Sequence, residues 1–165
     1  MAKEQRANDL QLVGFRIGKE SFGVPIALVH EIVRVPNITA VPDTLDHVEG
    51  VINLRGRIVS IVDLRKRFGT QCAESTHKNR ILVTEIEGTV VGLIVDSASE
   101  VFRLQPSDIE PPPSDVFEAE TSYVTGVGKL NERLIILLDL KKILGKGELL
   151  RLEDMKLPQS QPAQA

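Results

Sequence analysis

Short apolar segments of strand length, separated by polar turns, recur along this chain. Residues 10 to 17 (LQLVGFRI) alternate approximately, as a strand with one buried face requires, because successive side chains of a strand point to opposite faces. Residues 48 to 54 (VEGVINL) and 57 to 62 (RIVSIV) are apolar runs on either side of a short turn at Arg55-Gly56. Residues 80 to 86 (RILVTEI) and 89 to 95 (TVVGLIV) flank Glu87-Gly88, a two-residue connection of hairpin type. Residues 124 to 130 and 133 to 138 flank Asn131-Glu132 in the same way. Valine and isoleucine dominate these runs, and β-branched side chains pack well on a pleated surface.

Helical signals are short. Asp63 to Phe68 (DLRKRF) and Asp139 to Leu144 (DLKKIL) each open on an aspartate and are followed by a glycine, Gly69 and Gly145. Aspartate accepts hydrogen bonds from the free amides of a first turn, and glycine past the last turn can take positive φ. These four residues are therefore read as caps, not as catalytic acids. Glu148 to Met155 has the pattern of a final helix, and the polar tail, residues 156–165, is expected to be disordered, as are residues 1–9.

The two capped segments belong to an internal repeat. Residues 50–69 (GVINLRGRIVSIVDLRKRFG) align without a gap on residues 126–145 (GVGKLNERLIILLDLKKILG), matching Gly50 with Gly126, Leu54 with Leu130, Arg57 with Arg133, Asp63 with Asp139 and Leu64 with Leu140. Upstream, a weaker match relates Gly23 to Gly92, Glu31 to Glu100 and Arg34 to Arg103. Each half then reads as strands, a short turn, more strands and a very short helix. Small strands in that number curl into a barrel more readily than they form an open sheet. Two such half-sized units cannot each bury much core alone, so they should pack together.

Composition narrows the function. Hydrophobic residues make up 42% of the 165-residue chain but aromatic ones only 4%, so the core must be aliphatic. The net charge of −3 argues against a sequence-independent nucleic-acid binder, and the few aromatics leave little to stack bases on. No apolar run approaches the ~20 residues of a membrane-spanning helix, and the polar start of the chain resembles no signal segment. A single cysteine, Cys72, fits a reducing compartment. The expectation is a cytoplasmic protein with no membrane insertion.

Enzyme signatures fail in turn. Gly14 to Lys19 (GFRIGK) is one residue short of a phosphate-binding loop and continues into Glu20 instead of serine or threonine. Gly126-Val127-Gly128 has Asn131 where a dinucleotide fingerprint needs glycine. His30, His47, His77 and Cys72 lack metal-ligand spacing, and Cys72 sits in a polar stretch. Pro111-Pro112-Pro113 reads as a stiff connector. No catalytic residue, metal or cofactor is expected.

Val29-His30-Glu31-Ile32, Gly50-Val51-Ile52-Asn53-Leu54-Arg55-Gly56, the following Ile58 to Arg65 (IVSIVDLR), Val91 to Asp96 (VGLIVD) and Tyr123 to Gly128 (YVTGVG) resemble the CheW-like chemotaxis coupling proteins. The match runs from about Leu10 to about Leu152. The resemblance implies a mainly β fold of two SH3-like five-stranded barrel subdomains, intertwined and packed on a shared apolar core, forming one domain over residues 10–152. It also implies a non-catalytic adaptor, recruited to receptor arrays, that bridges the cytoplasmic tip of a transmembrane chemoreceptor to the regulatory domain of the histidine kinase CheA. A coupler of a pilus or gliding pathway fits the residues equally, and a small β-barrel that binds a ligand or an oligonucleotide is the alternative of another class.

Arg55 is the first candidate contact. Its repeat counterpart is Asn131, so the fold does not demand arginine there, and the family places the matching arginine near the partner contacts. Asn53, whose counterpart is Lys129, differs between halves in the same way. Glu31 follows the family pattern and could pair with Arg55, although Glu100 repeats it. Val29 and Ile32 offer apolar surface for a helical receptor tip, with ordinary core as the other reading. Gly50 matches a position linked to receptor binding, yet Gly126 repeats it, which favours a close backbone approach.

Overall fold

The computed structural model describes residues 9–42, 47–68, 76–112 and 123–145, with Leu149 and Leu152. Eleven strands run in the order β1 (Leu10–Ile17), β2 (Glu20–Pro25), β3 (Val29–Arg34), β4 (Val48–Leu54), β5 (Arg57–Asp63), β6 (Arg80–Ile86), β7 (Thr89–Val95), β8 (Ser97–Leu104), β9 (Ile109–Glu110), β10 (Val124–Leu130) and β11 (Arg133–Leu138). Helix α1 (Leu64–Arg67) follows β5, and α2 (Leu140–Ile143) follows β11. Single 3₁₀ turns at Ile26–Leu28 and Pro106–Asp108 precede β3 and β9. The apolar runs read from the sequence are strands with the expected bounds, to within one residue.

Two of the hairpin turns carry positive φ at both central residues, Arg55 (53°) with Gly56 (86°) and Glu87 (50°) with Gly88 (82°). That is the geometry whose twist matches the right-handed twist of paired strands. Asn131 opens the third two-residue turn at φ 59°.

The strands form two sheets, one in the order β8-β1-β2-β11-β10-β9 and the other β3-β6-β7-β5-β4. The orders correspond element by element, β8 to β3, β1 to β6, β2 to β7, β11 to β5 and β10 to β4. Even a bulge recurs: β3 has an extra residue between Val29 and Glu31 opposite β6, and β8 has one between Ala98 and Glu100 opposite β1. The first hairpin, β1-β2, sits in the sheet otherwise built by β8 to β11, and β6-β7 sits in the sheet of β3 to β5. Each hairpin is inserted through a parallel junction, β2 on β11 (Phe22 beside Ile136) and β7 on β5 (Val91 beside Ser60).

Neither sheet closes on itself through hydrogen bonds, and one has six strands, which corrects the expectation of two closed five-stranded barrels. The sixth strand is the two-residue β9, laid antiparallel on β10. At the matching place in the other sheet, Thr39 makes a lone bridge to Val51 on β4, with two 2.9 Å backbone hydrogen bonds. A short strap thus covers one edge of each sheet.

Alternation along the strands feeds three cores. Ile52, Val59, Ile61, Ile81, Val83, Val90 and Ile94 fill the five-stranded sheet's own concave side. Leu12, Leu104, Ile135 and Leu137 do so in the six-stranded sheet. The opposite faces meet in a larger shared core that takes Val13, Phe15 and Val24 from one sheet and Val62, Leu82, Val91 and Leu93 from the other. A row of rings, Phe15, Phe22, Phe68 and Tyr123 with successive centroids 5.3 to 5.7 Å apart, extends it past α1.

The helix starts are as expected. Asp63 accepts from the Arg65 amide at 2.9 Å, and Asp139 from the Lys141 amide at 3.0 Å. The second stop is not. Leu144 is extended (φ −115°) and Gly145 has no positive φ, so α2 ends by straightening. Gly69, Cys72, Pro113, residues 1–8 and the tail lie outside the described residues. Of the expected last helix, Leu149 and Leu152 are helical and buried, and the Leu152 carbonyl accepts a 3.0 Å bond from Ser60 Oγ. GFRIGK lies along β1 and its turn, and Gly126-Val127-Gly128 within β10, where neither can cradle a phosphate at a helix start.

Candidate partner-binding site

The turn between β4 and β5 projects Arg55 into solvent, 73% exposed, where its Nη1 donates to Glu31 Oε2 at 2.6 Å. Glu31 is the third residue of the edge strand β3, so the pair spans from one edge of the five-stranded sheet to the hairpin at the other. Arginine has no backbone reason to be here. At φ 53° a residue without a glycine or asparagine side chain is strained by roughly 1 kcal/mol, and the repeat counterpart Asn131 is one the left-handed region accepts readily. The sequence therefore retains an unfavourable residue whose head group is solvent-facing.

Asn53 has a local task, since its Oδ1 accepts from the Gly56 amide at 2.8 Å and braces the turn. It is exposed beside the turn, and its cross-strand partner is Ile58. Val29 packs at the margin of the shared core. Ile32 is 37% exposed but lies on the other face of β3 from Glu31. The structure thus joins Arg55, Glu31 and Asn53 and separates Val29 and Ile32 from them.

Gly50 has the close backbone approach that its repeat in Gly126 favours. It is buried at φ 140°, and a Cβ there would overlap the Thr39 carbonyl oxygen of the strap.

Sequence reasoning missed the exposed apolar residues. Ile58 is 44% exposed, Leu134 62% and Val101 58%. Ile58 and Leu134 are repeat counterparts, as are Ile32 and Val101, so exposed apolar residues recur at matching positions of the two sheets. The ion pair is repeated too, with a shift. Arg133, counterpart of Arg57, forks onto Glu100, counterpart of Glu31, at 3.2 to 3.3 Å. The matching offsets carried this signal, but runs such as RIVSIV and RLIILL read as wholly internal.

Also unforeseen is a buried ion cluster between the sheets. Arg65 on α1, 7% exposed in its side chain, donates from Nε and Nη2 to both oxygens of Asp63, 3% exposed, at 3.0 and 2.9 Å. Its Nη1 reaches Asp96 Oδ1 at 3.1 Å, and Asp96 Oδ2 accepts from the Gly18 amide at 2.6 Å in the β1-β2 turn. The cluster ties α1 to the inserted hairpin of the other sheet. In the second half Lys141 takes Arg65's place and reaches Glu87, in the β6-β7 turn, at 3.4 Å on the surface.

Among the described residues no cluster of histidine, cysteine, aspartate and glutamate could hold a metal ion, and no helix is long and apolar enough to cross a membrane. The chemistry on offer is recognition: an arginine fork, carboxylates, and exposed apolar residues on a rigid β frame.

Comparison with known proteins agrees. Residues 11–148 match the CheW-like domain. The chain is 38% identical over 135 residues to the chemotaxis protein CheW of Klebsiella aerogenes, covering 82% of this chain and 81% of that one. It is 34% identical over 144 residues to CheW of Helicobacter pylori, covering 87% of each. Among solved structures, scaffolding protein TtCheW from Thermoanaerobacter tengcongensis superposes with a TM-score of 0.77 at 37% identity, covering 84% of this chain and 94% of that one. The doubled sheet, the arginine-bearing turn and these relatives together establish that the chain belongs to the CheW-like family.

Proposed function

We propose that this chain, a chemotaxis scaffold by family, couples the cytoplasmic tip of a chemoreceptor to the regulatory domain of the histidine kinase CheA, without catalysis of its own. The observation that carries the reading is Arg55, held in a strained turn position, highly exposed and paired with Glu31. A planar fork of donors at a protruding turn suits a partner's carboxylates and carbonyls, and Ile58 supplies an apolar contact beside it. A helical receptor tip would present both kinds of group on one face. Val101, exposed on edge strand β8 of the six-stranded sheet, would meet the homologous kinase domain. We read the two open sheets as SH3-like half-barrels, and the region from Leu10 to Leu152 as one domain that works in the cytoplasm on the receptor array. Several modest contacts in such an array add through effective concentration.

The test is calorimetric titration with a receptor cytoplasmic-tip fragment, beside Arg55→Asn. The variant relieves the turn, so its melting temperature should equal or exceed the parent's by a few degrees, while receptor affinity falls about tenfold or more. Undiminished binding by Arg55→Asn, or a variant that melts markedly lower, would remove Arg55 from the receptor contact.

A further inference from the structure

The repeat supplies an internal control for every position of one sheet against the other. On the concave side of the five-stranded sheet, Val83 and Val90 are buried in its core, and Glu85, two residues on from Val83 and the cross-strand partner of Val90, is exposed on the same face. Their counterparts in the six-stranded sheet are Gly14, Ser21 and Arg16. Ser97 likewise stands where the first half has Leu28. The framework is the same, down to the bulge. At Gly14 the fold itself calls for the exchange, because the Phe102 ring, standing where the first half has Val33, takes the place of a side chain there. Beside it Arg16, Ser21 and Ser97 line an open hollow of about 650 Å³, within the size range of ligand-binding clefts.

The hollow is long as well as deep. Arg16 and Ser97 also line a second depression of about 230 Å³, which continues it past Gly18 to Thr76, Lys78 and Asn79. Along this groove Glu100 is already paired with Arg133, and Asp96 with Arg65. What remains without a partner among the described residues is Arg16, Lys19 and Lys78 against the single acid Glu20. That is a local positive excess on a chain whose net charge is −3. Ser21 and Ser97 add hydroxyl donors, and Phe102 and Leu134 give one end an apolar wall.

We propose that this groove is a docking site for an extended, acidic peptide segment of a partner protein. Its cations are strung along a channel instead of gathered round one point, which suits successive carboxylates of a chain better than one compact anion. The apolar end suits a flanking aliphatic residue. The site is apart from the Arg55 turn, mostly on the six-stranded sheet and reaching the segment that leads into β6, and its existence does not depend on the receptor reading.

The test is fluorescence anisotropy with a short labelled oligoglutamate carrying one central leucine, run beside an oligolysine of the same length. The acidic peptide should bind saturably, more weakly as salt is raised, and the lysine peptide should not. Changing Arg16→Glu and Lys19→Glu together should weaken binding at least tenfold while leaving the melting curve in place, since both side chains are exposed. Arg55→Asn should bind this peptide as the parent does, which separates the groove from the receptor contact. No binding of the acidic peptide, or equal binding by the doubly changed variant, overturns the proposal. Saturable binding of inorganic phosphate without the peptide overturns it in favour of a small-anion site.

Discussion

Gly50→Ala is expected to lower stability by about 3 kcal/mol or more, because it combines a left-handed backbone with a collision against main chain. At φ 140° any side chain is strained, and the added carbon would overlap the Thr39 carbonyl, which cannot turn aside without giving up the hydrogen bond it accepts from the Val51 amide. For a chain of this size the melting temperature should fall by roughly 6–12 °C. The repeat offers a matched comparison. At Gly126 a Cβ would meet the Glu110 carbonyl and the Ile109 methyl group at 3.1 Å, tight but adjustable, with no positive φ to maintain. Gly126→Ala should cost about 1 kcal/mol. Thermal denaturation of the two variants decides the matter: equal losses, or a Gly50→Ala protein that melts with the parent, would mean that the strap does not lie on β4 as described.

Arg65→Ala should be comparably severe, at about 3–5 kcal/mol, the usual consequence of leaving a buried charge without its partner. Asp63 would keep its helix-cap bond but lose both guanidinium bonds, and Asp96 would lose its link to α1. Lys141→Ala, at the counterpart position, removes only an exposed pair with Glu87 and should shift stability by no more than about 0.5 kcal/mol. Pairing Arg65→Met with Asp63→Asn removes both charges while keeping a capping side chain, and should recover part of the loss. Denaturant unfolding curves test the set. An Arg65→Ala midpoint equal to that of Lys141→Ala would contradict the buried cluster.

Much of this fold could be read from local pattern, and the reasons are particular. Strands such as β6 and β7 announce themselves because both faces are buried and Glu87-Gly88 sits between them. β2, β3, β8 and β9 are not delimited in the same way. β2 (ESFGVP) opens on polar residues and ends at a proline. The other three are at edges, so exposed and charged residues interrupt their apolar positions, as in SASEVFRL, and β9 is only two residues long. The exchange of hairpins between sheets left no local mark, since it depends on parallel pairings between residues far apart, Phe22 with Ile136 and Ser60 with Val91. Arg65 has no task legible in the sequence, because its partner Asp96 lies 31 residues away in the chain. At the site, Arg55 and Glu31 could be singled out because they fit a family pattern, and the side chains do meet. Ile58 and Leu134 could not, because an apolar run gives no sign of which member faces water. Gly50 matched a position linked to binding, and its backbone angle fits the close approach that its repeat in Gly126 suggests.

The central claim is that the chain links receptor to kinase. The direct measurement is co-sedimentation of purified CheA with receptor-bearing membranes, with and without this protein, and with Arg55→Asn in its place. The account predicts that the kinase pellets to a high level only when the parent protein is present, and that the variant carries markedly less of both itself and the kinase into the pellet. Kinase that sediments equally without the protein, or a protein that stays in the supernatant whatever the membranes carry, would contradict it.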